Sequence, residues 1–266
     1  MKQEANTIFE ELKALANEEK RTVLSRFFKT AEGQYGAGDR FLGITVPLVR
    51  TVAKAHRNAD HETIGQLIAS PWHEVRLCGL LILTLQADAL DRLTGKGDAA
   101  TAVLRKALFD FYLSHTDRIN NWDLVDLSAP TVVGRYLTNK PRDILYRLAE
   151  SPLLWDNRIA MVATYALIRD GQTEDTYRLA LKLMHHPHDL MHKAVGWMLR
   201  EAGKRDMQRL YTFIDEHRSD MPRTTLRYAI ERFDVNTRQE LMQPREIKKT
   251  HLKEASLHTT DQENHD

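Results

Sequence analysis

The chain is expected to be all-α, folded as a curved solenoid of HEAT-like helical pairs, and three observations predict this. Apolar residues recur at intervals of three and four along most of its length, no run of alternating β-branched residues competes with that period, and prolines interrupt it at intervals. The breaks fall at Ser70-Pro71, Lys140-Pro141, Ser151-Pro152, His186-Pro187 and Met221-Pro222. Each reads as a helix start, because proline suits a first helical turn and resists an interior one. Three of them open related segments, SPWHEVRLCGLLIL, SPLLWDNRIAMVATYAL and HPHDLMHKAVGWML, each with a proline, a basic residue five or six positions on, and an apolar helix. Their prolines stand 81 and 35 residues apart, a spacing that fits helical-pair repeats of roughly 40 residues if one extra unit occupies the first gap. About six pairs are therefore expected. Such a stack leaves a concave face lined by successive inner helices.

Taken in order, Ile8, Leu12 and Leu15 mark a first helix, and Val23, Leu24, Phe27 and Phe28 a second. The stretch GQYGAGDRFLG, Gly33 to Gly43, carries four glycines and reads as a long loop before a helix that begins near Val46. Further helices are marked by Leu104, Leu108 and Phe111, and by Ile159, Val162, Tyr165 and Ala166. Residues 1–234 form one domain on this reading. Beyond Asp234 large apolar residues become sparse, so residues 235–266 are expected to be a polar, disordered tail.

The chain has 266 residues, 42% of them apolar, enough for a continuous core. It starts with the charged MKQEANTIFEELK, and its longest apolar run, Leu77 to Leu83, is too short to cross a bilayer, so a cytoplasmic location is expected. A single cysteine, Cys78, excludes an intramolecular disulfide and a cysteine-rich metal site, and its apolar surroundings make it a core residue. The net charge of +1 points to no particular partner. From Lys193 to Arg232, however, nine Lys or Arg face six Asp or Glu, often at helical spacing.

Four places could carry chemistry. Trp122 and Asp126 stand at i and i+4, which puts an indole and a carboxylate on one helix face, whereas Asp123 points about 100° away and is expected to be solvated. A buried tryptophan with a locally paired aspartate would explain the same spacing. Lys193, Trp197, Arg200 and Lys204 share another stripe, where an aromatic flanked by cations suits stacking on sugar or base with phosphates held alongside; lysine stems covering a surface indole would look the same. Arg158, just after Trp155 and Asp156, offers a planar fork to a phosphate or an ion pair to Asp126 or Asp156. The cluster His185, His186, His188 and His192 lacks the acidic neighbours of a metal centre and reads as an inter-repeat turn, so no metal is expected. Gly36, Gly38 and Gly43 match neither a phosphate-cradling loop nor a dinucleotide fingerprint, which excludes nucleotide hydrolysis.

Phe41-Leu42-Gly43-Ile44 with Pro47 and Arg50, then Trp122 to Asp126, Arg158, and Gly196-Trp197-Met198-Leu199-Arg200-Glu201 together resemble the AlkD family of alkylpurine DNA glycosylases, in order and spacing over most of residues 1–233. The resemblance implies a helical-repeat shell that grips duplex DNA on its concave face. On that resemblance Trp122, Trp197, Asp126 and Arg158 would surround the damaged nucleotide; the basic residues Arg50, Lys193, Arg200, Lys204, Arg223 and Arg227 are expected as phosphate contacts, and Tyr35 is a further DNA-contact candidate that inherits no role from the family. The implied substrate is double-stranded DNA containing 3-methyladenine or 7-methylguanine, cleaved by a monomer without cofactor and without flipping the base. The Gly33 to Arg40 loop departs from the family pattern. Two other classes compete: a non-catalytic repeat protein that binds damaged or unusually shaped DNA, and a protein–protein scaffold.

Overall fold

The structure is a computed structural model whose described residues are 2–94 and 99–244. Among them the regular structure is helical: α1 (Gln3–Ala14), α2 (Glu18–Phe27), α3 (Val46–Ala55), α4 (His61–Ile68), α5 (His73–Thr94), α6 (Ala99–Leu113), α7 (Trp122–Ala129), α8 (Asp143–Ala149), α9 (Leu154–Arg169), α10 (Glu174–Leu183), α11 (Asp189–Gly203), α12 (Met207–His217), α13 (Arg223–Ala229) and α14 (Val235–Leu241). A 3-10 turn at Thr116–Arg118 and a π-helical turn at Pro130–Gly134 flank α7. Among the described residues the β structure is one isolated bridge, Arg40 to Trp72. The all-α class expected from the periodicity is the class observed.

Local chemistry explains where the helices begin. Side chains of Asn17, Asp60, Asn121, Asp206 and Asp234 accept backbone N–H groups in the first turns of α2, α4, α7, α12 and α14. The five prolines stand one or two residues ahead of α5, α8, α9, α11 and α13, because their fixed φ sets up the first turn while the helical hydrogen bonds start just after them.

Packing follows the chain. Helices α5, α7, α9, α11 and α13 touch in that order, while α4 and α6 pack against α5, α8 against α9, α10 against α9 and α11, and α12 against α11. The row from α5 to α13 contributes much of the apolar core, including Leu80, Ile82, Leu124, Val125, Ile159, Val162, Val195, Leu199 and Leu226. Cys78 is fully buried there.

α2 and α6 form where expected but leave part of their apolar faces uncovered, and one boundary shifts. α2 has the predicted period but no buried residue: Val23 and Phe27 are each 61% exposed, and Phe28, just beyond the helix, turns inward instead. Leu104 on α6 is exposed as well. The domain boundary at residue 234 moves, since Asp234 caps α14, Leu241 is fully buried and Met242 accepts a hydrogen bond from Arg223. Phe233 and Met242 pack against the core on either side of α14 and help Leu241 seat so polar a helix. The rest of the expected tail, residues 245–266, lies outside the described residues.

Candidate functional site

The inner row of helices brings two predicted residues into direct contact. Arg158, at the start of the second turn of α9, donates from Nε to Asp126 Oδ1 at 2.9 Å and from Nη2 to Oδ2 at 2.8 Å, while Nη1 donates to the Leu190 carbonyl at 2.6 Å. The fork thus joins α7, α9 and the start of α11. Of the two acidic partners open to Arg158, Asp126 is the one used; Asp156 accepts from the Ser151 hydroxyl. The pair is largely enclosed, with 16% of the Asp126 side chain and 6% of the Arg158 side chain accessible. Burial pushes the Asp126 carboxyl above its usual range, and Arg158 opposes that rise.

Close backbone approach makes this contact possible. α7 runs into the π-helical turn at Pro130–Gly134, and a Cβ on Gly134 would lie 2.2 Å from the Ala163 carbonyl oxygen on α9. Any larger residue would hold the two helices apart.

Trp122 opens α7 half-buried, its ring stacked on Phe28 (centroids 5.3 Å, 20°) and edge-on to the exposed Phe27 (5.9 Å, 72°). Trp197 on α11 is also half-buried and meets α9 at Tyr165, at 6.0 Å. Tyr165 lies two turns beyond Arg158 on the same face.

Asp123 is not solvated. Its Oδ2 lies 2.8 Å from His73 Nε2, whose Nδ1 lies 2.8 Å from Asp39 Oδ2. Arg76 donates to the other Asp39 oxygen at 2.7 Å, and Asn121 reaches Asp39 Oδ2 at 3.4 Å. Burial alone would lower the His73 pKa, but Asp123 and Asp39 more than reverse this and hold it at about 9, so the imidazole is charged at neutral pH. Asp39 is correspondingly held below its usual range by His73 and Arg76 against the opposing effect of its burial. Asp123 is about 100° round the helix from Trp122, and it points into the core because α5 packs on that side.

The basic candidates are less free than their spacing suggested. Lys193 pairs with Asp189 at 2.8 Å, Lys204 with Glu201 at 2.6 Å, and Arg200 with Glu231 and, at 3.7 Å, Glu201. Arg223 is exposed and donates to the Met242 carbonyl; Arg227 is exposed and lines a hollow between α13 and α14 with Ile230, Val235 and Met242. Arg50 stands exposed on α3. Tyr35 reaches the aromatic cluster beside Arg158, with its ring 6.3 Å from Trp155 and 6.1 Å from His188.

The histidine cluster serves the backbone. His186 Nδ1 accepts the His188 N–H, and His188 Nδ1 accepts the Leu190 N–H as the N-cap of α11. Among the described residues no three His, Cys, Asp or Glu side chains converge on a metal position, and no helix is long and apolar enough to cross a membrane.

Sequence reasoning missed the part played by Phe27, Phe28 and His73. The doublet Phe27-Phe28 was visible only as part of a helical period; His73 was hidden because its partners are 34 and 50 residues away.

Among curated proteins no match to this chain is found. Among solved structures, one described as a predicted DNA alkylation repair enzyme from Enterococcus faecalis superposes with a TM-score of 0.59 over 83% of this chain and 97% of its own, at 15% identity. That likeness concerns the fold. The family model for the DNA alkylation repair enzyme matches residues 8–233, most of the sequence and every residue of the Asp126 site. The chain belongs to the DNA alkylation repair enzyme family.

Proposed function

We propose that the protein is a DNA glycosylase that hydrolyses the N-glycosidic bond of cationic alkylated purines, 3-methyladenine and 7-methylguanine, in duplex DNA. The helices form a curved solenoid of HEAT-like pairs on this reading, with α5, α7, α9, α11 and α13 lining the concave, DNA-facing side. The observation that carries the proposal is the Asp126 carboxylate, oriented through both oxygens by Arg158, partly accessible, and on the same helix face as Trp122.

The chemistry asks for little more. A purine alkylated at N3 or N7 is positively charged, so when its bond to C1′ breaks the bonding electrons neutralise the departing base and no proton donor is needed. The sugar is left as an oxocarbenium-like cation. Asp126 stabilises that charge and orients the water whose oxygen bonds to C1′, the spare proton passing to solvent. The half-buried faces of Trp122 and Trp197 attract the same cation. Because the charge is felt at the sugar, the nucleotide is processed without rotating the base into a pocket. No metal or cofactor is required, and the protein acts as a monomer.

One observation favours a second reading. Both Asp126 oxygens are occupied by Arg158, as in a purely structural ion pair, and a DNA-binding protein without catalysis would look similar. Asp126→Asn separates the two. A preorganised charge of this kind is worth about 3 kcal/mol, so the enzyme reading expects base release from N7-methylguanine duplexes to fall on the order of a hundredfold while DNA affinity is largely kept. Wild-type protein that binds methylated duplex and releases no base would favour the binder. A folded Asp126→Asn protein with unchanged release would remove Asp126 from the mechanism.

A further inference from the structure

The loop from Lys29 to Arg40 is fastened at both ends. At one end the Gly36 N–H donates to the Lys29 carbonyl at 3.2 Å, and a Cβ at Gly36 would lie 2.3 Å from the Phe28 carbonyl oxygen, so the loop folds back onto the end of α2 as closely as a backbone can. At the other end Asp39, with 4% of its side chain accessible, is bound by His73 and Arg76. His73 in turn holds Asp123, the second residue of α7. The second anchor therefore ties the loop to α7, which carries Trp122 and Asp126, and the first ties it to Phe28, whose ring stacks on Trp122.

Tyr35 stands next to the first anchor, just before Gly36. Its hydroxyl donates a long 3.4 Å hydrogen bond to the Phe27 carbonyl, and the Phe27 ring lies against Trp122. Its ring reaches the other way, edge-on to Trp155 and His188. Trp155 precedes Arg158 by one helical turn, and His188 caps the helix whose Leu190 carbonyl binds Arg158. Tyr35 thus spans two aromatic groups that flank the Asp126–Arg158 pair: Phe27, Phe28 and Trp122 on one side, Trp155 and His188 on the other. A glycine-rich loop pinned by a buried charge network and ending in a half-buried aromatic ring is a fixed wall.

We propose that Tyr35 is a specificity-determining residue, the wall that restricts this site to lesions with small substituents. The inference rests on the glycosylase reading and adds to it a limit on lesion size. A purine exposes N7 in the major groove and N3 in the minor groove. A wall along one edge of the cleft obstructs a large group at one of these positions and spares the other.

The test compares release of four bases from otherwise identical duplexes: N7-methylguanine, N7-benzylguanine, N3-methyladenine and N3-benzyladenine. All four are cationic leaving groups, so chemistry is matched and size differs. Within each protein the methyl-to-benzyl ratio is read, which cancels any loss of DNA affinity common to both substrates. Wild type is expected to prefer methyl by on the order of a hundredfold at one of the two positions, and Tyr35→Ala to narrow that preference at least about tenfold. Tyr35→Phe, which keeps the ring, should retain the wild-type ratio. The proposal is overturned if wild type releases both benzyl bases as fast as the methyl bases, if Tyr35→Ala leaves the ratios unchanged, or if Tyr35→Phe narrows them as far as Tyr35→Ala does. A wild type that releases none of the four sinks the glycosylase reading and this inference with it; normal release of the methyl bases with unmoved ratios sinks the inference alone.

Discussion

Asp126 and Asp123 are three residues apart on one helix and meet opposite fates. Asp126 faces α9, is paired with a buried planar guanidinium and keeps 16% of its side chain accessible; Asp123 faces α5 and is sealed beneath His73. That seal gives a pH prediction. The His73 pKa is raised from the usual 6.5 to about 9 in the folded protein, so its charge contributes stability that is fully present below pH 6.5 and is lost as pH rises through about 9. Asp39 is shifted down, so its contribution persists through this window and is lost only in acid. The melting temperature of the wild type should therefore fall between pH 7 and 9.5 by more than that of His73→Gln, and parallel curves for the two proteins would contradict this. At this scale the sequence was partly legible. The i, i+4 spacing of Trp122 and Asp126 held, and Arg158 took one of the two partners foreseen for it. The Asp39–His73–Asp123 chain was not foreseen, because it joins three segments that no local window spans.

Helix α2 shows what periodicity can and cannot report. The three-and-four spacing of Val23, Leu24 and Phe27 correctly marks a helix, since that pattern reflects backbone geometry. Whether a neighbour covers the apolar face is decided elsewhere, and here the face remains open except where Phe27 meets Trp122 and Phe28. The break after α7 carries a similar lesson in reverse. Pro130 was not among the prolines singled out as helix starts, yet it opens the π-helical turn that leads to Gly134 and the close approach to α9. Replacing Gly134 with Ala puts a methyl group against a backbone carbonyl that cannot swing aside, and overpacking of this kind costs about 1–3 kcal/mol. Gly134→Ala should lower the urea midpoint and, by shifting α7 relative to α9, reduce base release beyond the fraction of protein unfolded. Gly65→Ala is the control, because a Cβ there meets side chains at an ordinary 3.6 Å and alanine favours the helix. Equal losses in the two variants would show that the α7–α9 contact is not what matters.

Across the whole molecule the net charge is +1, and three of the cations expected to hold DNA, Lys193, Arg200 and Lys204, already have carboxylate partners. The pairs of Lys193 with Asp189 and of Lys204 with Glu201 were legible as local spacings along α11, whereas that of Arg200 was not, since Glu231 lies on a different segment. The pairs do not preclude a phosphate role. Exposed ion pairs are worth only about 0–1 kcal/mol, whereas each phosphate neutralised by a cation releases counterions and adds roughly 0.9 to the slope of log affinity against log salt. Exchange of Asp189, Glu201 and Glu231 for phosphates is therefore favourable at low salt and fades as salt rises. Two opposite results should follow from measuring duplex affinity between low and physiological salt. Lys193→Ala and Arg200→Ala should each weaken binding and reduce the slope by about one unit. Glu231→Gln should instead strengthen binding, because it frees Arg200 from its competitor without removing the cation. If Glu231→Gln binds DNA no better than wild type while Arg200→Ala still weakens binding, Arg200 acts by bracing α11 and not by touching phosphate. If affinity is independent of salt for every variant, the face of α11 that carries Lys193 and Arg200 does not meet a polyanion, and the DNA path must run along the exposed cations Arg50, Arg223 and Arg227 instead.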